Sequence, residues 1–512
     1  MRRACALFLL LAASCARCGA PKSAASAEEL LPLQPSGAVV TAPLGALAEH
    51  FAALSDRVAS LPGGELPGEL RKGMTAQLGF DPLTRDGLLS AGVDPQRGAA
   101  VALLEAQPRP EWMVALPLVN PDLFIQTVQR LLVERLGFAP VAGPPTHAKL
   151  FERSGQRLAL EVVRGYGLIA RGADPVALIA ERKPEDSLLR SAGLTAARQK
   201  LGAQDVIVWA PAGSALPKRY TARTLPGEVA LSLQGAAGGL ALRLLAQLPP
   251  ADAAQAAAAL PGGGAALFGL LPGEAPLRAR LGIAPAQLLA LLRGDARIAP
   301  LLDKLKGVDE VFAALQPGAA VSLGVVKNAS IAAAVDYGLD WRRKSPFDTV
   351  QLVALAQASD ATRLLAALEA LAKQLPGVGA RVERTSNDFQ ITYAGGKGAR
   401  FGLRPIDGKP VAYLLGGDLK PEDLHATPRP VNPEAAALYA DPGASARLDF
   451  GKLAAQVHAL PDTTYGTGPQ SYVTRSVVGQ VIDPLKPLRL TLGLQAQADF
   501  LGATLDVEIA AP

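Results

Sequence analysis

The sequence predicts an α+β protein of two tandem related modules, each a mostly antiparallel sheet with helices packed on one face. Three observations carry that expectation. A strand-then-helix stretch occurs twice: Met113-Val114-Ala115-Leu116 leads into a helix over 123–136, and Leu352-Val353-Ala354-Leu355 into one over 363–375. Phe124, Val128 and Leu131 then match Leu364, Leu368 and Leu371, one stripe of a 3.6-residue period. Each helix opens on a side chain able to cap free amides, Asn120 or Asp360. Consecutive apolar runs are joined by short Gly-rich turns, which marks antiparallel pairing. Helices arrive in groups between sets of strands, which marks α+β rather than alternating α/β.

Taken in order, Arg2-Arg3 and the apolar run Ala4 to Ala13 read as a signal peptide over 1–14. Such a run is too short to cross a bilayer, which needs about 20 residues. It ends Leu11-Ala12-Ala13-Ser14-Cys15, which resembles the lipobox of bacterial lipoproteins. That resemblance implies lipidation at Cys15 and a membrane anchor in a bacterial cell envelope. Ala16 in place of Asp after the cysteine implies the outer membrane, facing the periplasm or the cell surface. The alternative is an ordinary secretory signal cut near Gly19-Ala20. All three cysteines, Cys5, Cys15 and Cys18, lie in this leader, so no disulfide framework is expected in the exported fold. Residues 15–30 form the lipidated cysteine and a tether.

The first unit spans 31–250. It has a strand over 37–41, a helix carrying Leu44, Leu47, Phe51, Leu54 and Val58, and strands over 98–104 and 112–118. After the first keystone helix, a meander runs over 147–153, 157–163 and 167–171. Asp174-Pro175 opens a short helix, 205–209 is a strand, and 228–233 with 240–245 is a closing hairpin. A helical, Gly-rich linker occupies 251–264. The second unit, 265–512, restarts with a strand over 265–271 and passes a helix over 285–292. It repeats the pattern with strands 318–323 and 352–355, a meander through 381–415, a helix over 418–424 and a hairpin of 488–494 with 503–509. Leu488, Leu490, Leu492 and Leu494 alternate with Arg489, Thr491, Gly493 and Gln495, which predicts a buried leucine face and an exposed polar one.

Composition narrows the function classes. Charged residues are 19% of the chain and aromatics 5%, so the core is built from Ala, Leu and Val. The formal net charge of +5 includes Arg2 and Arg3, which gives weak steering toward nucleic acid, and the scarcity of aromatics disfavours base stacking. The four histidines, His50, His147, His425 and His458, are far apart in sequence and form no H-E-x-x-H. Gly443-Ala444-Ser445-Ala446-Arg447 lacks the last glycine of a nucleophile elbow, and Ser445 reads as a strand start. Gly395-Gly396-Lys397-Gly398 lies between strands, so it reads as a hairpin turn rather than a phosphate loop. Asp81, Asp86 and Asp94 sit at turns, where capping accounts for them. No cofactor or metal is expected.

Two segments remain as candidate interaction loops: the basic cluster Trp341-Arg342-Arg343-Lys344, and the polar stretch from Tyr465 to Tyr472 that interrupts the repeat. Gly79-Phe80-Asp81-Pro82, Asp86-x-Leu88, Gly92-x-Asp94-Pro95 and Ala99 to Leu103 resemble exported bacterial proteins of unknown function. The resemblance implies an envelope protein and carries no catalytic residue. The reading is therefore a lipid-anchored envelope protein with a non-enzymatic binding or scaffold role, its partner another envelope protein. One alternative is a carrier of a lipid or other apolar ligand, which calls for an apolar cavity of several hundred Å³. The other is an envelope hydrolase whose residues converge only in three dimensions, with a histidine brought to a Ser or Asp.

Overall fold

The computed structural model describes residues 26–510, apart from 62–65, 106–109, 143–146, 181, 203, 215–226, 237, 297–298, 327–345, 379, 394–397, 425–442, 467 and 498. The described residues fall into two compact units. One is drawn from Met1–Asp56 and Glu65–Gly235, the other from Arg57–Gly64 and Ala236–Pro512. Both are α+β.

The first unit holds nine strands: β1 (Gly37–Pro43), β2 (Gly98–Glu105), β3 (Glu111–Pro117), β4 (Ala139–Val141), β5 (Lys149–Arg153), β6 (Gln156–Val163), β7 (Tyr166–Arg171), β8 (Val206–Ala210) and β9 (Val229–Ala236). They pair, always antiparallel, in the order β9-β8-β1-β2-β3-β7-β6-β5-β4. The keystone helix α1 (Pro121–Arg130) begins where Asn120, in extended backbone, accepts the Leu123 amide at 3.1 Å on its side chain. Its Phe124 and Val128 then pack with Leu158 and Leu160 of β6. Phe124 lies so close to Gly167 that a Cβ there would stand 2.1 Å from the ring. Gly92, at φ +78°, lets its carbonyl take the Val119 and Asn120 amides and so fixes where β3 hands over to the helix.

The second unit holds β10 (Gly239–Gln247), β11 (Leu277–Leu281), β12 (Leu315–Val325), β13 (Val350–Ala358), β14 (Ala380–Thr385), β15 (Asp388–Tyr393), β16 (Ala399–Ile406), β17 (Lys409–Gly416), β18 (Ala444–Asp449), β19 (Leu488–Ala496) and β20 (Phe500–Ile509). Their order is β10-β20-β19-β18-β11-β12-β13-β17-β16-β15-β14, again antiparallel throughout. Here the keystone helix α2 (Ala361–Ala372) is capped by Asp360, which accepts the Arg363 amide at 2.9 Å. Leu364 and Leu368 pack with Phe389 and Phe401, whose rings stack 5.0 Å apart.

Four expectations need correction. Residues 265–271 are not a strand: Ala265–Phe268 is a helical turn, and Leu267, Phe268, Leu270 and Leu271 are all buried, which an alternating strand cannot achieve on one face. The strand is β11, whose Arg278 and Arg280 masked the pattern. Residues 418–424 form only a 3-10 turn, Pro421–Asp423, held by the Asp423 carboxylate on the Lys420 amide. Structure also packs on both faces of the sheets, not one. In β17, Val411, Tyr413 and Leu415 join the cluster of Leu267, Phe268 and Leu424, whereas Ala412 and Leu414 face the cluster of Leu364 and Leu368. Finally, β10 belongs with the second unit, because it pairs with β20 from Gly239 to Gln247.

Candidate functional site

Strand β19 is built inside out. Its leucines were expected inside, yet Leu492 is 51% exposed and Leu494 37%, while Thr491 just before them is 2% exposed. The register extends this inversion across the sheet. Directly paired residues share a face, so Leu492 lies in one row with Ala446, Leu505 and Leu242, and Leu494 in one with Ala444, Ala503 and Leu244. Leu244 is 39% exposed. Through β18 and β11 the face reaches Val321 and Leu323 of β12. All of it is aliphatic. The next strands along, β13 and β17, have this same face covered by α2.

The opposite face of those strands carries the polar residues. Arg280 pairs across from Ser445, Arg447 from Thr491, and Thr491 from Asp506. Arg280, Ser445 and Thr491 are nonetheless buried, and the hydroxyls of Ser445 and Thr491 have no hydrogen-bond partner. Burial pushes the Asp506 carboxyl up, Arg243 pulling the other way. Ser445 is thus a strand residue, as its sequence context implied. The first unit has a smaller counterpart: Val39, Val208 and Leu231 form one row, with Val208 and Leu231 exposed, while Ile207, Trp209 and Ser232 are buried on the reverse.

The stretch from Tyr465 to Tyr472 is not a long loop. A 3-10 turn, Asp462–Tyr465, runs after a short break into helix α3 (Pro469–Ile482). Tyr465 is buried and donates to the Val457 carbonyl at 2.6 Å, so it is a packing residue. Tyr472 is 75% exposed and borders an open cleft of about 620 Å³ with His458, Arg475, Ser476, Gln480 and Asp483. Arg475 stands 5.8 Å from the Tyr465 ring and pairs with Asp462. Cys15, Trp341, Arg342, Arg343, Lys344, His425 and Gly395 to Lys397 lie outside the described residues. The strands on either side of that last segment, β15 and β16, pair antiparallel, the setting of a hairpin.

Two of the histidines, His50 and His458, act as struts. His50 Nδ1 meets both oxygens of Asp205 at 2.9 and 3.0 Å, and Asp205 also accepts the Gly235 amide. His458 Nε2 meets Asp483 at 2.6 Å. Asp483 also takes Lys486 at 2.8 Å, and these two partners hold its carboxyl below the usual range. His458 is thus brought to an Asp, in a cleft that also contains Ser476. Among the described residues no hydrogen bond joins Ser476 to His458, and Asp483 is half exposed to solvent. The turn carboxylates are structural too. Asp94 fastens Arg97, which donates to the carbonyls of Leu118 and Gly165 and stacks 4.6 Å from Tyr166. Among the described residues no cluster fit for a metal occurs, and no helix is long and apolar enough to cross a membrane.

No protein family model and no curated protein matches this chain. Two solved structures, crystal forms IV and I of TP0453, align with 44% of it and with 81% and 79% of their own chains. Identity is 11% and 10%, and the TM-scores are 0.26 and 0.25, a likeness that assigns neither fold nor function here.

Proposed function

We propose that the chain is a lipid-anchored protein of a bacterial envelope, held at the outer membrane through Cys15, that works by binding rather than by catalysis. We further propose that its two units are tandem copies of one module. Supporting the second point, β1 to β8 follow the same order across their sheet as β11 to β18 across theirs, and an N-capped helix follows the third strand of each run, β3 or β13. The binding reading rests on one observation, the inverted burial of β19. Leaving leucines in water while hydroxyls and an arginine are buried is costly on both counts. A protein that does so on a broad face has that face available for an apolar partner.

Anilinonaphthalene sulfonate fluorescence tests this. The native chain is expected to bind the dye saturably, with its near-UV circular dichroism unchanged. A Leu492→Ser/Leu494→Ser variant should lose most of that signal. Equal dye binding by both would sink the reading. The anchor has its own test: Cys15→Ser should move the protein from the membrane fraction to the soluble one.

A further inference from the structure

We infer that the aliphatic face of the second unit's sheet is where two copies of this chain meet, an inference that rests on the binding reading above and names its partner. The registers place on that face three residues each of β12, β11 and β18, five each of β19 and β20, and four of β10, all of them Leu, Ile, Val or Ala. Ala279, Ala496 and Ile509 among them are buried within the chain, and the others reach solvent. Each outward residue of a sheet tiles about 4.8 Å by about 6.8 Å, so the part that reaches solvent spans roughly 650 Å². A stable complex buries about 800 Å² on each partner, give or take about 200 Å². The face has the size that a dimer needs.

It is also shaped to meet itself. Across the six strands one row reads Ala319, Leu281, Ala444, Leu494, Ala503, Leu244. Leucine ridges thus alternate with alanine troughs, the ridges two strands or about 9.6 Å apart. A copy related by a two-fold axis lays its ridges in those troughs, as the facing sheets of a sandwich interdigitate. The chemistry agrees. With no charge on the face, two copies meet without like-charge repulsion. Homodimer interfaces are the more apolar kind, resembling a domain core cut in half. An unlike protein is anchored by aromatic, Met and Arg residues, and a lipid surface by basic and aromatic ones; this face supplies none of them. In dilute solution the copies separate, and the same leucines then stand open to dye.

Sedimentation of the full chain carrying Cys15→Ser, purified without detergent, tests this over a series of concentrations. The mass is expected to rise from one chain to two and to stop there, while anilinonaphthalene sulfonate fluorescence per chain falls in step. Leu492→Asp/Leu494→Asp should weaken the dimer at least tenfold with the urea midpoint of the dilute chain unchanged. Ala444→Leu/Ala503→Leu fills the troughs and should weaken it as well, although it makes the face more apolar and leaves dye binding by the dilute chain in place. A dimer that either double variant leaves intact would be held elsewhere or without interdigitation, and would overturn the inference. If the chain binds the dye but stays monomeric at the highest attainable concentration, the dimer inference fails and the binding reading survives. Co-sedimentation of a monomer with phosphatidylglycerol vesicles would overturn it in favour of a lipid surface. Absence of both dye binding and dimer would remove both readings.

Discussion

Strands β17 and β19 belong to one antiparallel sheet and make the same ladder, yet they meet opposite fates. In β17 both faces are apolar and both are packed, one by the turn after Gly264 and the other by α2. In β19 the apolar face reaches solvent at Leu492 and Leu494, and the polar face is covered at Thr491. Alternation in a sequence tells which residues share a face; it does not tell which face the rest of the chain will cover. The covered half holds the fold together. The open half is the surface that fold presents.

The sharpest way to break this comparison is to make the same substitution in each half. Leu364→Ala empties a fully buried site against Phe389 and Phe401 and should cost about 2–5 kcal/mol, read from the urea midpoint. Leu492→Ala should stay within about 0.5 kcal/mol, because the side chain is already in water. Comparable losses at both positions would mean that the leucine face is covered in solution.

A second contrast lies between two Arg–Asp pairs, one in each unit. In the first unit, Arg97 ties Asp94 to two carbonyls and to Tyr166. In the second, Asp309, in the first turn of the helix Val308–Ala313, meets Arg293 at 2.8 Å, both of them exposed. Arg97→Met should cost about 2 kcal/mol by leaving half-buried carbonyls without their charged donor. Arg293→Met should leave the melting temperature unmoved, since exposed pairs are screened. A large effect of Arg293→Met would show that the exposed pair holds the second unit as Arg97 holds the first.

Much of the fold was legible because its signals are local. Asn120 and Asp360 announce capped helices, and the Gly-rich turns announce the meanders. The second strand of the second unit's core was lost because β11 reads Leu-Arg-Ala-Arg-Leu, a pattern of exposed cations that neighbouring strands bury. Helix α3 was lost for the opposite reason: Val473 and Val477 are exposed on it, and Tyr465-Gly466-Thr467-Gly468 looks like loop throughout. The candidate binding face was visible as leucines but read as core. Only the register across six strands turns those separate alternations into one surface.

A subtler effect is pH dependence in the first unit. Partial burial raises the Asp81 carboxyl, but the Arg71 guanidinium at 2.7 Å and the Leu83 amide outweigh it, so the group titrates below its ordinary value. A carboxyl lowered on folding adds stability above its unfolded value, and that stability is lost as pH falls through the folded one. Asp81→Asn should therefore lower the unfolding midpoint at neutral pH, and the gap to the native chain should close as pH drops below about 4. A gap independent of pH would assign the effect to the turn's geometry instead of its charge.

A gain in stability, instead of a loss, is expected on the reverse of the leucine face. Thr491 is buried and its hydroxyl has no partner, so the folded state carries a desolvated donor that the unfolded chain gives to water. Thr491→Val keeps the branched shape and removes that group, and it should stabilise the protein by about 1 kcal/mol. Ser445→Ala, at the other unpartnered hydroxyl of this face, should act in the same direction. Binding of anilinonaphthalene sulfonate should be untouched in both, because these side chains point away from Leu492. If either substitution destabilises, the hydroxyls hold an internal water between the strands, and the covered polar face is a hydrated layer instead of a dry one.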